Sequence, residues 1–228
     1  MAARTDGRQA RGTLTRDGIL AAAVELADRE GRDGRTSLTM RSLARHLGVE
    51  AMSLYHHVTH KEDLLDGMVD VLFAEIHLPR AGADWMEEIR RRCRSGREVL
   101  ARHPWAVGLM DSRSTPGPAT LRHHDAVLGC LRSGGFSVPM AAHAFAVLDA
   151  HLYGFMVQEV SMPMHGPEET AALAELILAG LPEDSYPHLR ELTEEHVLQP
   201  GYDFGAEFDY GLDLVLEGLE RRRVASLG

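Results

Sequence analysis

Near the end of the chain, Phe204, Phe208, Leu212, Val215, Leu216 and Leu219 recur at three- and four-residue spacing. That is the period of one helical face. The same period places Ile19, Leu20, Ala23, Val24 and Ala27 together early in the chain, and Met40, Leu43, Ala44 and Leu47 soon after. No segment sustains the two-residue alternation of a half-buried strand. Proline or glycine punctuates nearly every junction: Pro104, Pro116–Gly117–Pro118, Gly134–Gly135, Pro163, Pro182, Pro200–Gly201. The pattern predicts an all-α chain. Composition agrees, with only 6% aromatic residues among 44% hydrophobic ones.

At 228 residues the chain can hold one ordinary domain or two small ones. Residues 1–13 are small and polar and are expected to be a flexible arm. Residues 14–78 form a front unit whose last helix, 61–78, leads through the hinge "HLPRAG" into a second unit, 79–228. Helices in the second unit are expected near 84–102, 104–111, 117–133, 138–161, 167–180, 186–198 and 203–223. The net charge of −10 is uneven: residues 1–61 carry ten Lys+Arg against seven Asp+Glu, and the remainder fourteen against twenty-seven. A basic front on an acidic body points to an anionic partner for the front alone. No apolar run approaches the ~20 residues of a bilayer span, so no membrane partner is expected. Cys93 and Cys130 make no disulfide framework, which fits a cytoplasmic location.

The stretch "TMRSLARHLGVEAMSLYHHV" has the parts of a helix–turn–helix: a short helix, a turn with glycine, and a second short helix. Thr39 is the expected N-cap, and Gly48 the left-handed turn residue. Val49, Leu54 and either Met52 or Ser53 are available for the inner face. Glu50, Ala51, Ser53, Tyr55, His56 and His57 are then left outside, short or hydrogen-bonding as the edge of the major groove requires. "THKE" reads as a capping box of Thr59 with Glu62.

Residues 15–76, carried by "ILAAAVELADREG" and "LTMRSLARHLGVEAMSLYHHVTHKEDLLDGMVDVL", closely resemble the DNA-binding domain of the TetR family of transcriptional regulators. The loop "GRDGRTSLTM" is a few residues longer than the family's common one. "CLRSGGFSVPMAAHAFAVLDAHLYGFMVQE" and the tail from Tyr186 are similar to the tetracycline-repressor type of C-terminal domain. The resemblance implies a ligand-responsive regulator, a repressor by expectation, that binds a palindromic operator as a homodimer and is released by a small organic effector. It implies DNA contacts from Thr39 and Arg41 as well as from the second helix of the motif, and phosphate contacts from Tyr55, His57 and Lys61. Arg41, with a fork that matches guanine O6 and N7, is the expected base reader. Glu50 either accepts from a cytosine amine or is solvated. His56 is either a base contact or a bystander.

Two broad apolar stripes, on 138–161 and on the last helix, are wide enough to be buried by more than their own chain. The resemblance assigns both to a dimer bundle. The effector pocket is expected among helices at 84–180, with Trp85, Trp105, Leu109, Met110, Phe145, His151, Phe155, Met156, Gln158, Glu159 and Met162 as lining. The histidine that holds a tetracycline-chelated magnesium in the family falls near Leu109, where "VGLMDSRS" has none. The expected effector is therefore an uncharged or weakly polar organic molecule, and no cofactor is expected. "HHVTH" straddles a helix end and has no partners to complete a metal tetrahedron. For "LRHHD", a solvated face is expected for His123 and His124, with His124 or Asp125 on the cavity as the alternative. No phosphate loop, dinucleotide fingerprint, nucleophile elbow or zinc-protease motif appears. The alternative is a helical small-molecule-binding or catalytic protein without DNA binding.

Overall fold

The computed structural model describes residues 14–110, 112–163, 166–182 and 185–226, all helix, turn or loop. The expected flexible arm, 1–13, lies outside the described residues. The front unit contains α1 (Arg16–Arg29), α2 (Gly34–Ser37), α3 (Met40–Leu47), α4 (Ala51–Leu54) and α5 (Lys61–Glu75). A 3-10 turn, Gly31–Asp33, and α2 occupy the long loop that reads as a break in sequence. Ile19, Ala23, Leu43, Leu54, Leu64 and Met68 seal the space between α1, α3, α4 and α5. Each fully buried side chain of this kind stabilises the fold by about 1.5–3 kcal/mol before entropy is counted.

The second unit contains α6 (Trp85–Arg102), α7 (Pro118–Ser133), α8 (Val138–Ser161), α9 (Pro167–Gly180), α10 (Pro187–Leu192) and α11 (Ala206–Ala225). α8 packs on α6, α7 and α11 around Ile89, Val127, Leu148, Leu152, Phe208 and Leu212. α9 and α10 pack mainly on the π-helical turn Thr193–Val197 that follows α10. Two expected helices are corrected. For the expected helix 104–111, the described residues 104–110 form only a 3-10 turn, Pro104–Ala106, followed by further turns. The expected helix 186–198 divides into α10 and the π turn. A third correction concerns apolar length, since α8 is long and apolar enough to cross a bilayer by length and composition. Its packing on three helices gives the apolar residues a protein environment.

The units meet along α5 and α7. Asp70 on α5 accepts from the backbone N–H groups of Thr120 (2.8 Å) and Ala119 (3.3 Å) and from the Thr120 hydroxyl (2.9 Å). A side chain of one unit thus caps a helix of the other, and its negative charge suits the positive end of the α7 dipole. Gly117 is needed there: a Cβ would stand 2.3 Å from Asp70 Cγ. Arg113, in the loop before α7, ties that loop to α5, pairing with Glu62 at 2.7 Å and with Asp66. On α1, Asp28 accepts from Trp105 Nε1 at 2.6 Å and lies 2.7 Å from His103 Nδ1.

Candidate nucleic-acid interface and effector cavities

The turn between α3 and α4 is built as the sequence predicts. Thr39 caps α3 by accepting from Ser42 N at 3.0 Å, and Ser42 returns a bond to Thr39 N at 2.9 Å. Gly48 sits at φ 67°, ψ 30°, a left-handed position that costs other residues more. Leu43, Ala44 and Leu54 anchor the pair inside, while Val49 and Ala51 are half-buried against the core. Thr39, Arg41, Glu50, Tyr55 and His56 are exposed, and Ser53 and His57 half-buried. Arg41 forms no ion pair among the described residues. Lys61 is half-buried and donates to the Arg35 carbonyl at 3.1 Å.

Met52 is 72% exposed beside this group. That takes Met52 off the inner face and adds an apolar side chain to the outer surface, while Ser53 is half-buried between the two. The helical part of the second element is also short, Ala51–Leu54, with Tyr55–His57 in turns.

The expected capping box of Thr59 with Glu62 is corrected. His60 is the N-cap of α5, and its Nδ1 accepts from Asp63 N at 3.0 Å. Asp63 in turn accepts from Thr59 N at 2.7 Å and from its hydroxyl at 3.1 Å. Arg16 of α1 pairs with Asp63 at 2.6 Å and donates to the His57 carbonyl at 2.8 Å. The hydrogen bond from Arg16 holds the Asp63 carboxyl at a pKa of about 2. The end of the recognition segment is thereby tied to both long helices of its unit.

The expected effector residues do not surround one space. Met110 borders a partly open cavity of about 140 Å³ with Asp66, Val69, Arg113, Thr120 and His124. Trp105 lies on a cleft of about 310 Å³ with Arg32, Val157 and Val160. Met156, Glu159 and Met162 line an adjoining cleft of about 470 Å³ with Gly31 and Pro104. Glu159 is paired with Arg97, which stands over the Phe155 ring. Phe155 stacks on Phe204 at 5.0 Å, and His151 stacks on Phe208 and lies 3.0 Å from its carbonyl. Trp85 packs edge-on against Phe136, Leu109 is core, Phe145 is half-buried with its ring against His124, and Gln158 is exposed.

The solvated reading of "LRHHD" is overturned. His123 is fully buried and His124 half-buried on the cavity. Arg92, 1% exposed, pairs with Asp149 at 2.6 Å beside His123. Burial opposes the Arg92 charge, but Asp149 outweighs it and holds the guanidinium pKa above its usual range. Burial, and then the Arg92 charge, push the His123 pKa down to about 3. The adjacent histidines were the visible signal; the buried arginine gave none, because "IRRRCR" reads as a charged surface run.

An open groove of about 700 Å³ runs between α8 and α11, lined by Met140, His143, Val147, Leu214, Gly218 and Arg222. Val147 and Leu214 are exposed there.

The pattern described as "Bacterial regulatory proteins, tetR family" matches residues 19–68, and "Tetracyclin repressor-like, C-terminal domain" matches residues 78–223. A transcriptional regulator of Saccharopolyspora erythraea is 36% identical over 209 residues, covering 90% of this chain and 84% of the relative. The transcriptional repressor DrrR1 of Streptomyces coeruleorubidus is 30% identical, covering 95% of this chain and 81% of its own. Among solved structures, ActR of Streptomyces coelicolor in complex with actinorhodin superposes with a TM-score of 0.76 at 28% identity, covering 93% of this chain and 99% of ActR. The chain belongs to the tetR family of bacterial transcriptional regulators, which are not enzymes, and carries a tetracycline-repressor-like C-terminal domain.

Proposed function

We propose that this regulator is a homodimeric repressor that binds a palindromic operator through α3, α4 and the start of α5, and leaves it when a small organic effector occupies the second unit. The observation that carries the reading is the outer surface around Gly48. Arg41, Met52, Tyr55 and His56 project outward from a motif whose inner face is locked to α1 and α5. Thr39, Glu50, Ala51, Ser53 and His57 complete the contact set, with Lys61 at the phosphate backbone. Met52 supplies an apolar surface for a thymine methyl group, and Arg41 a fork for guanine. The α8–α11 groove is the face for a second copy, which would set two recognition elements about one DNA turn, ~34–36 Å, apart.

Effector control follows from the α5 contacts. Asp70 and Arg113 tie α5 to α7 and to the loop before it, so a ligand that binds better when these elements shift also moves the DNA-binding unit. The ligands held by two structural relatives, actinorhodin and minocycline, are organic molecules, in keeping with such an effector. The test is fluorescence anisotropy on DNA from the chain's own promoter region across a salt series. Binding that weakens steeply with salt is expected, since each phosphate contact releases counterions. Salt-insensitive or absent binding would instead favour a helical binding protein without DNA.

A further inference from the structure

Sulfur in this chain is held in two very different settings. The two cysteines, Cys93 and Cys130, are fully buried. Burial raises both thiols, Cys130 to a pKa of about 11, so neither offers the thiolate that reacts with an oxidant. Of ten methionines, Met68, Met110 and Met156 are buried in the core, and Met40, Met86, Met140 and Met162 are half-buried. Met52, at 72% exposure, is the one exposed methionine among the described residues. Trp85 and Trp105, which also oxidise readily, are buried.

An oxidant arriving from solution therefore meets one thioether, among the described residues, that solvent already surrounds. That thioether stands on the surface proposed to meet DNA. Ala51 and Leu54 of the same short helix pack on the core, which keeps Met52 turned outward. Its sulfur cannot withdraw without unseating α4.

We propose that Met52 is a reversible oxidation site whose sulfoxide loosens the protein from its operator. This rests on the DNA-binding reading above and adds to it an input separate from the effector. The sulfur lone pair takes one oxygen from hydrogen peroxide as the O–O bond breaks, and the other oxygen leaves as water. Sulfur gives up two electrons and the peroxide gains them. A dithiol reverses the step: it supplies two electrons and two protons, the sulfoxide oxygen leaves as water, and a disulfide forms. Oxidation puts a polar, chiral group where a flexible apolar one stood. A thymine edge offers that group a methyl and the O4 acceptor, and no donor. The sulfoxide oxygen would lose water there and gain no hydrogen bond.

The test treats the full chain with hydrogen peroxide and follows each methionine by peptide mass spectrometry. Affinity for DNA from the chain's own promoter region is measured on the same samples. Met52 should oxidise several times faster than the half-buried methionines. Affinity should fall about tenfold as the Met52 sulfoxide accumulates, the size of one desolvated oxygen left unpaired. Oxidised protein should also lose its preference for thymine over deoxyuridine in that DNA, a readout that a general loosening of the fold would not move. Methionine sulfoxide reductase with dithiothreitol should restore both. Met52→Leu, compared only with itself, should bind alike before and after peroxide, whatever its starting affinity. Three results would overturn the switch and leave the DNA-binding reading intact: Met52 oxidising no faster than the half-buried methionines, undiminished affinity at full Met52 oxidation, or an equal loss in peroxide-treated Met52→Leu. Reduced protein that binds no promoter DNA would instead overturn that reading, and the switch with it.

Discussion

Arg41 and Met52 are both exposed on the helix–turn–helix, and their loss should be read in different ways. Arg41→Ala should cost about 1–3 kcal/mol of operator binding and relax the preference at one guanine. Lys61→Ala should weaken all sequences alike and lower the salt slope by about one. Met52→Ala should remove the penalty of replacing one operator thymine by deoxyuridine, which deletes only the methyl group; an equal penalty in wild type and variant would dismiss the contact. Asp63 makes a pH prediction. Its folded pKa of about 2 lies below the ordinary 3.8, so its stabilisation is present above pH ~4 and is lost as pH falls through 2. Urea titrations should therefore show a smaller loss of stability between pH 4 and 2 in Asp63→Asn than in wild type. Thr39 and Gly48 were legible because their roles are local. His60 was not, because two overlapping spacings, Thr59–Glu62 and His60–Asp63, both offer a cap. The choice rests on Arg16, forty-seven positions from Asp63, and on Glu62 being drawn to Arg113.

Helices whose apolar stripes run for several turns, such as α1, α6, α8 and α11, read directly from sequence. The shorter elements did not. α4 has four residues, too few to define a face by periodicity, so the sequence offers Met52 and Ser53 equally for its inner side. Residues 104–111 look helical by composition, yet His103 and Trp105 are held by Asp28 of α1, and the segment turns to follow them. The α7 cap is likewise invisible in sequence, because the capping carboxylate lies on α5. Asp70→Ala should cost about 1 kcal/mol in chemical denaturation, as other N-cap losses do. It should also weaken the effect of effector on operator affinity more than it weakens effector binding itself. If both fall together, the cap is structural and does not transmit.

At the scale of the molecule, the all-α class and the two-unit order followed from periodicity and punctuation. The effector space did not, because eleven residues drawn from several helices had no common distance constraint, and they divide among a cavity, two clefts, the core and its margin, and, for Gln158, the surface. The α8–α11 groove predicts that Leu214→Glu should yield a monomer by light scattering and lose operator affinity, while unfolding as wild type does; a dimer at micromolar concentration would exclude this face. Elsewhere the chain's basic groups are guanidinium, histidine ring or terminus, for Lys61 is the sole lysine. An acylating reagent that spares guanidinium therefore finds one side-chain amine in the protein, at the surface proposed to meet DNA and away from the effector space. Reversible acetylation of that single nitrogen would erase one positive charge where operator phosphates should lie, and operator affinity could be tuned by covalent chemistry with no change in the ligand-binding half.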